Sequence, residues 1–308
     1  MPKRRKIKTY SSLPGREGSV LDDIIRDDII KVVARNRYGY LQCGPQELGG
    51  ATLEEYVHNQ QAGSSRVANW VLPFLQKDQR VLEVGCGVGA LVSTLNSRGM
   101  NVYGLDVPYK APQWAAIGLD RERFVCGDGS SLPFKDNSFD VVISFGVIEH
   151  IGTVDGIWRL RDDYKELRQS YASEIMRVTR GGGKIIIGCP NKSCPIDPAH
   201  YQPPENRIRD FIFRKTGLNL HRTWGDWYLL SHREVRQFFS GTHNFRSLPL
   251  KGYFAFSKFQ KWPVLRPLKS AIQGWVEDMP QWAANSFLSP YVMVEMTNGN
   301  KDVPSLPR

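Results

Sequence analysis

Residues 80–89, RVLEVGCGVG, place a glycine-rich turn between a short apolar run and a segment with helical spacing. The glycines Gly85, Gly87 and Gly89 lack the side chains that would keep a ligand away from the backbone, and they permit positive φ. The stretch therefore predicts the first strand of an α/β domain, followed by a ligand-binding turn and a helix.

Short apolar runs continue this alternation along the chain. The predicted strands are residues 80–84, 101–105, 122–125, 139–144, 184–188, 245–256 and 290–297. Buried strands that alternate with helical or loop segments favour a parallel sheet with helices on both faces. We therefore predict an α/β fold with a doubly wound, mainly parallel, seven-stranded Rossmann-like sheet, N-terminal helices and a C-terminal insertion before the last strand.

Five segments follow from these patterns. They are a flexible basic arm (1–19), an N-terminal helical cap (20–78), a ligand-binding core (79–190), a substrate-side region with the remaining core elements and an aromatic-rich insertion (191–289), and the last strand and tail (290–308). In the cap, a helix is predicted over 20–36, and Val67, Trp70, Val71 and Phe74 indicate a second helical stretch just before the first strand. These helices are expected to cover the ligand site or to flank the sheet. In the insertion, apolar residues from Leu265 to Met279 predict an amphipathic helix that packs on the domain, with a membrane surface as the alternative.

Composition limits the class of protein. The 308 residues carry a net charge of +10, divided as +5 over 1–40, −2 over 41–200 and +7 over 201–308. Such a distribution can attract phosphates, nucleic acid or anionic lipid, although a solvated surface explains most scattered Lys and Arg.

The five cysteines show no CxxC pair, which argues against a disulfide framework and a structural zinc site. No apolar stretch of membrane-spanning length and no secretory signal is present, so we expect a cytosolic protein, with attachment to a membrane surface left open.

The glycine turn alone fits two kinds of cofactor. With Ala90 it also satisfies the G-x-G-x-x-A fingerprint of dinucleotide-binding proteins. Asp106, which ends the next strand, fits either cofactor because both offer ribose hydroxyls to a carboxylate.

Further segments distinguish the two readings through a family resemblance. VLEVGCGVG (81–89) resembles the first motif of class I methyltransferases that use S-adenosylmethionine (SAM), and residues 124–134, FVCGDGSSLPF, are similar to the family's GDxxxLPF segment. Residues 138–150 resemble the fourth strand and a V-L-E-H sequence, and residues 181–187 resemble the P-G-G turn and fifth strand, with Arg180-Gly181 departing from the usual Lys-Pro. The core has the look of the methyltransferase-11 and quinone-biosynthesis group.

The resemblance implies SAM as the cofactor and assigns its contacts. Asp106 would accept from the ribose and Asp128 from the adenine amino group, with turn capping as the alternative role of Asp128. Glu83 suits the cationic sulfonium and ammonium of SAM, directly or through water, with orientation of the glycine loop as its alternative role. The predicted cofactor-binding residues are Glu83, Gly85, Cys86, Gly87, Gly89, Asp106, Gly127, Asp128, Gly129 and Ser144, and no metal ligand is predicted.

Candidates for the chemistry follow the fourth and fifth strands. His150 could act as a general base, or it could fix the start of a helix as Glu-His does across the relatives. His200 and Tyr201, at the end of a proline-rich loop, could contact the acceptor or pin the loop. Five tryptophans between 200 and 288 could form walls for an apolar acceptor or a small accessory core.

The acceptor is less determined than the cofactor. We expect methyl transfer to a small-molecule, lipid or glycan-intermediate acceptor at oxygen. The alternatives are a nucleic-acid methyltransferase, motivated by the basic ends, and a SAM-binding protein without catalysis. No [DN]-P-P-[FYW] tetrapeptide of amino-methylating enzymes follows the fourth strand, where residues 144–147 read SFGV.

Overall fold

A computed structural model describes most of the chain from the second predicted helical stretch onward. The described residues are 64–107, 114, 121–154, 159–197, 207–216, 219–253 and 266–299. The predicted arm, the predicted helix over 20–36, His200 and Tyr201 lie outside these residues.

Seven strands form one sheet. They are β1 (Arg80–Val84), β2 (Asn101–Asp106), β3 (Phe124–Cys126), β4 (Phe139–Phe145), β5 (Thr179–Pro190), β6 (Thr242–Ser247) and β7 (Tyr291–Asn298). Their spatial order is β6-β7-β5-β4-β1-β2-β3. The strands β5, β4, β1, β2 and β3 are parallel, and β7 is antiparallel to both β5 and β6. The predicted mainly parallel seven-stranded α/β sheet is therefore confirmed.

Helices cover both faces of this sheet. Residues 64–71 are helical, and the later helices are α1 (Ala90–Ser97), α2 (Tyr164–Val178), α3 (Arg207–Thr216), α4 (His232–Phe238), α5 (Arg266–Glu277) and α6 (Gln281–Ala284). Residues of α2 bury one stripe at helical spacing, which includes Leu167, Tyr171, Ile175 and Val178. They join one apolar cluster, while residues from 64–71 and α1 join a second cluster on the other face.

Three strands, β3, β5 and β6, differ from their predicted ranges by more than one residue. Residues 121–123 form a 3₁₀ turn, so β3 begins at Phe124. β5 begins at Thr179 because a bulge around Gly182, with φ of 66°, carries the ladder past the glycine run. The strand predicted over 245–256 is wrong for residues 248–253, and residues 254–256 lie outside the described residues. Pro249 cannot donate to a ladder, and Leu250 packs into the core from a turn instead.

The segment after β5 also differs from the prediction of a loop without strands. Ile196–Asp197 pairs with Asn219–Leu220 as a two-stranded antiparallel ribbon. A second small ribbon joins Thr153–Val154 to Arg159–Leu160 after β4. Both ribbons follow the carboxyl ends of parallel strands, which is the edge where open α/β sheets bind ligands.

The order of the strands reverses between β4 and β1. β1 lies between β2 and β4. The connection that follows β1 leads to β2 on one side, and the connection that follows β4 leads to β5 on the other side. Ligands of open α/β sheets bind at such a switch point, outside the carboxyl ends of the strands. The glycine turn that follows β1 therefore lies where the fold provides a crevice.

Candidate functional site

The turn after β1 has the backbone conformation that its glycines permit. Gly85, Gly87 and Gly89 all have positive φ, at 82°, 55° and 77°. The N–H groups of Gly85 and Cys86 donate to the carbonyl of Leu105 at 2.8 and 3.0 Å, which fixes the turn against the end of β2. The sequence thus specifies the turn through residues that adopt left-handed φ without a steric cost.

Two of these glycines have different surroundings. A Cβ on Gly85 would overlap the side chain of Val147, whereas a Cβ on Gly87 would meet nothing within 4 Å. Gly85 is therefore needed for packing against the segment after β4, and Gly87 lies beside open space. A ligand can approach the backbone at Gly87.

Asp106 holds the same turn from the end of β2. Its Oδ2 accepts from the N–H of Gly87 at 2.6 Å, and its Oδ1 accepts from the N–H of Val107 at 2.7 Å. These bonds orient the carboxylate beside the turn. Asp106 therefore combines a structural role with the position expected of a ribose ligand, and its contact with the cofactor stays a prediction.

A cavity of about 240 Å³ opens beside the turn. Its walls come from the turn and the ends of β1 and β4, including Glu83 and Phe145, and from the helical stretch before β1. The lining residues in that stretch are Ser64, Arg66, Val67 and Trp70. The described part of the predicted helical cap thus lines one side of the cavity.

Glu83 is the buried carboxyl of this cavity. The residue is 5% exposed, and burial, together with the charge of Asp106, raises the pKa of Glu83 from 4.5 to about 8. Among the described residues its Oε2 has no hydrogen-bond partner. A buried carboxyl oxygen without a partner is costly and is rare in folded proteins. The site therefore fits a ligand with a cationic hydrogen-bond donor, such as the ammonium group of SAM.

The helical cap contributes residues that the motifs did not reveal. Partial burial lowers the pKa of Arg66 to about 10. The Nε1 of Trp70 donates to the carbonyl of Lys251 at 2.5 Å, and the Trp70 ring packs near Tyr253 and Tyr291, each with centroids 6.4 Å apart. Arg66 precedes the first recognised motif, residues 81–89, by fifteen residues, so only the folded chain brings it to the cavity.

Asp128 forms a turn after β3. Its Oδ1 accepts from both the N–H and the hydroxyl of Ser130, at 2.8 and 2.9 Å. A Cβ on Gly129 would lie 2.6 Å from the ring of Tyr171, and one on Gly127 would lie 2.9 Å from Leu105. The turn-capping role left open for Asp128 is therefore present, and its contact with adenine stays a prediction.

Ser144 has a structural role in the described contacts. It is 2% exposed, and its hydroxyl lies 2.9 Å from the carbonyl of Val84 and 2.6 Å from the hydroxyl of Tyr171. It does not line the cavity. These bonds tie β4 to β1 and to α2, so the structure gives no support for direct contact between Ser144 and the cofactor.

His150 lies in the turn that follows β4. Its N–H donates to the carbonyl of Val147 at 2.9 Å, and its carbonyl accepts from the Thr153 hydroxyl at 2.7 Å. The imidazole packs near the ring of Tyr228, with centroids 6.3 Å apart. The backbone of His150 thus shapes the turn, while a role for its imidazole as general base stays a prediction.

Arg168 on α2 holds this turn from beneath. It is 1% exposed, and its guanidinium donates to the carbonyls of Glu149, Ile151 and Tyr228 at 3.0, 3.1 and 2.6 Å. Burial lowers the pKa of Arg168, although the neighbouring charge of Glu149 opposes that shift. One buried side chain therefore joins the segment after β4 to the end of the insertion near Tyr228.

The segment after β5 is held by polar side chains. Asn191 is 1% exposed and donates to the carbonyls of Ser286 and Ser289 at 2.9 and 2.7 Å. Lys192 pairs with Glu234 at the start of α4, with Nζ and Oε1 2.5 Å apart. These contacts bring the region before β7 to the carboxyl end of β5.

Several aromatic residues of the insertion lie on the surface. Trp224 is 73% exposed, Trp282 is 68% exposed and Trp275 is 45% exposed. An accessory core built on these three tryptophans is therefore wrong, and Trp262 lies outside the described residues. Trp227 packs against Tyr228 and beneath the guanidinium of Arg222.

The described part of the chain contains no group of three or more His, Cys, Asp or Glu side chains that could hold a metal ion. It also contains no helix with the length and apolar character needed to cross a membrane.

Comparison with known families agrees with the motifs. Residues 82–187 match the family model described as Methyltransferase domain. The matched range starts within β1, includes the glycine turn and the segments after β3 and β4, and ends within β5. The predicted family, its Rossmann-like fold and SAM as its cofactor are confirmed for this domain.

Three similar proteins illustrate the range of relatives. A protein named "Uncharacterized methyltransferase" from Mycolicibacterium vanbaalenii is 36% identical over 110 residues, 35% of this chain and 37% of that protein. The tRNA (carboxymethyluridine(34)-5-O)-methyltransferase alkbh8 of Xenopus tropicalis is 34% identical over 155 residues, 46% of this chain and 22% of that protein. The demethylmenaquinone methyltransferase of Renibacterium salmoninarum is 33% identical over 110 residues, 35% of this chain and 40% of that protein. The chain thus spans less than half the length of these relatives.

Proposed function

Because residues 82–187 form a class I SAM-dependent methyltransferase domain, we propose that the chain transfers a methyl group from SAM to a small-molecule, lipid or glycan-intermediate acceptor, at an oxygen atom. The observation that carries the proposal is the buried Glu83 carboxyl beside the cavity, whose Oε2 has no partner within the part of the chain that the structure describes. A zwitterionic ligand with an ammonium group would supply that partner.

Different residues around the cavity would bind different parts of SAM. Glu83 would hold the ammonium of SAM, the backbone at Gly87 would lie against the ligand, and Asp106 would accept from the ribose. Arg66, partly buried at the cavity wall, offers a positive charge for the carboxylate. SAM, when bound, supplies a methyl group already activated by the adjacent sulfonium. The protein therefore acts mainly by positioning the acceptor and excluding water.

Proton removal from an acceptor hydroxyl requires a base near the carboxyl ends of β4 and β5. His150 is the described candidate, and His200 is the candidate outside the described residues. An acceptor of the small-molecule or lipid type is supported by the likeness to a demethylmenaquinone methyltransferase. Oxygen is the methylated atom that we expect in such an acceptor.

An RNA acceptor is the second candidate. The relative named as a tRNA methyltransferase aligns over 155 residues, a longer stretch than the other two relatives described above. The net charge of +10 would also favour a polyanion. Methyl transfer to RNA would depend steeply on salt, because phosphate contacts release counterions.

Labelled SAM tests the proposal. The purified chain is incubated with methyl-labelled SAM and cell extract divided into metabolite, lipid and RNA fractions. We expect label in the metabolite or lipid fraction, and its loss in Asp106→Ala, because the variant removes a carboxylate that orients the glycine turn. Asp78→Ala, at an exposed aspartate before β1, is the matched control and should retain the label.

Three results would contradict the proposal. Label in RNA alone would favour the second candidate. SAM binding without transfer to any fraction would indicate a non-catalytic binding protein, and absence of SAM binding by calorimetry would exclude the cofactor assignment itself.

A further inference from the structure

α3 presents large apolar side chains to solvent. Ile208 is 73% exposed and Phe211 is 61% exposed, although both belong to a regular helix. Residues three apart share one face of a helix, and Arg214 and Lys215, one turn further on, are also exposed. The Nζ of Lys215 lies 5.8 Å from the centroid of the Phe211 ring. The exposed face thus combines two apolar side chains with two cations.

α3 is attached to the edge of the sheet that holds the cavity. In the sequence, α3 lies between the two strands of the ribbon, Ile196–Asp197 and Asn219–Leu220. A hydrogen bond from the N–H of His221 to the carbonyl of Pro195, at 3.1 Å, extends this ribbon. The ribbon begins six residues after β5 ends at Pro190. Trp224, 73% exposed, follows the ribbon. The exposed residues therefore belong to the loop that leaves the carboxyl end of β5.

The charge of α3 identifies the kind of surface that it fits. Its ten residues, RIRDFIFRKT, contain four cations and one acid. Asp226, the acid nearest to Trp224 in the sequence, lies 4.0 Å from Lys165. A basic helix with exposed apolar residues lies in the interface of an anionic membrane, with its apolar side chains at the boundary of the acyl chains. Tryptophan is enriched at that same depth.

We propose that Ile208, Phe211, Arg214, Lys215 and Trp224 form a docking surface for an anionic lipid bilayer. This docking surface selects a lipid or lipid-linked acceptor, and in that respect the inference rests on the proposed methyl transfer. A polyanion such as RNA would use the cations and could stack a base on Phe211, but it would leave the aliphatic side chain of Ile208 in water. Ile208 therefore favours the bilayer over RNA.

Vesicle sedimentation tests the docking surface with the full chain. We expect binding to vesicles of phosphatidylcholine mixed with phosphatidylglycerol, and weak binding to pure phosphatidylcholine. The double variant Ile208→Ser/Phe211→Ser should lose at least about tenfold in binding to the mixed vesicles, since each buried methylene contributes to insertion. The matched control is Trp282→Ser/Phe287→Ser, which removes two side chains of similar exposure, at 68% and 62%, elsewhere on the surface.

Charge reversal provides the second variant. Arg214→Glu/Lys215→Glu should reduce binding to the mixed vesicles by more than about 25-fold, because each cation near an anionic surface contributes about fivefold. Circular dichroism and SAM calorimetry are measured on every variant. Wild-type SAM affinity in all of them would show that the fold and the cofactor site are intact.

The outcomes separate this inference from the proposed function. Equal losses in the α3 variant and the Trp282/Phe287 control would overturn the assignment to α3. Binding to single-stranded RNA that requires Arg214 and Lys215 but not Ile208 and Phe211, with no vesicle binding, would overturn it in favour of a polyanion. Vesicle binding without SAM binding would instead contradict the proposed function and leave the docking surface supported.

Discussion

Two glutamates near the cavity edge of the sheet differ in how their carboxyls are satisfied. At Glu83, burial and the charge of Asp106 raise the pKa to about 8, and Oε2 has no hydrogen-bond partner among the described residues. At Glu234, burial acts in the same direction, but bonds from Lys192 and Ser231 outweigh it and lower the pKa. One region leaves one oxygen of its carboxyl unsatisfied among the described residues, and the other satisfies its carboxyl internally.

The difference indicates where a ligand belongs. Glu234 completes a capping box with Ser231 at the start of α4 and accepts from Lys192, so its bonds stabilise the fold. An unsatisfied buried oxygen, by contrast, destabilises the ligand-free protein. Such a group is explained when a ligand supplies the missing donor, and Glu83 lines a cavity that can admit one.

The largest expected effect concerns Arg168, which joins the segment after β4 to the segment that leads to Glu234. Arg168→Met leaves the carbonyls of Glu149, Ile151 and Tyr228 without their donor. We expect the free energy of unfolding to fall by about 3–5 kcal/mol, as when one partner of a buried polar network is removed. Urea denaturation followed by circular dichroism measures the loss.

Lys165→Met on the same helix is the control for Arg168. The Lys165 side chain is 64% exposed, and its Nζ lies 4.0 Å from Asp226. Its removal should leave the free energy of unfolding close to the wild-type value. A loss of similar size in both variants would show that Arg168 has no special role in joining the two segments.

The fold could be predicted from the sequence where the strands are buried. Interior strands such as β1 and β4 are mainly apolar, because both faces of the sheet are covered. The start of β5 and the end of β6 were mispredicted. A bulge at Gly182 extends β5, and Pro249 follows the end of β6. A run of glycines or a half-polar edge strand shows no clear hydrophobic periodicity from which a strand boundary could be predicted.

The candidate site was predictable only in part for a similar reason. Gly87 and Asp106 belong to motifs in which the backbone conformation or the end of a strand dictates the residue type. Arg66 comes from a distant helix, and no local pattern marks it as a cavity residue. The hydroxyl of Ser144 bonds to Val84 and Tyr171, which is a tertiary contact that sequence spacing does not encode.

The next largest effect sharpens the assignment of the ligand to the Glu83 region. Gly87→Ala adds a Cβ that meets no protein atom within 4 Å but projects beside the cavity. We expect SAM affinity, measured by calorimetry, to fall by more than about tenfold because the ligand must lie against this backbone. Gly182→Ala is the control, since Gly182 also has positive φ, at 66°, and open surroundings.

Both variants should lose about 1–2 kcal/mol of stability from strained φ. Only Gly87→Ala should weaken binding, because Gly182 lies in the bulge of β5 and does not line the cavity. Equal affinities for SAM in the two variants would place the ligand away from the glycine turn.

The smallest expected effect tests the contrast between the two glutamates directly. With a pKa of about 8, Glu83 is mostly protonated at pH 7 in the ligand-free protein, and an ammonium ligand favours its ionised form. SAM binding at pH 7 should therefore release a proton, and affinity should rise by up to about tenfold per pH unit as the pH approaches 8. Calorimetry in buffers of different ionisation enthalpy measures the release.

Glu83→Gln should abolish this proton release, whereas Glu234→Gln should preserve it, because the lowered pKa of Glu234 keeps that carboxyl ionised before and after binding. Proton release that persists in Glu83→Gln would assign the titrating group elsewhere and remove the distinction between the two carboxyls.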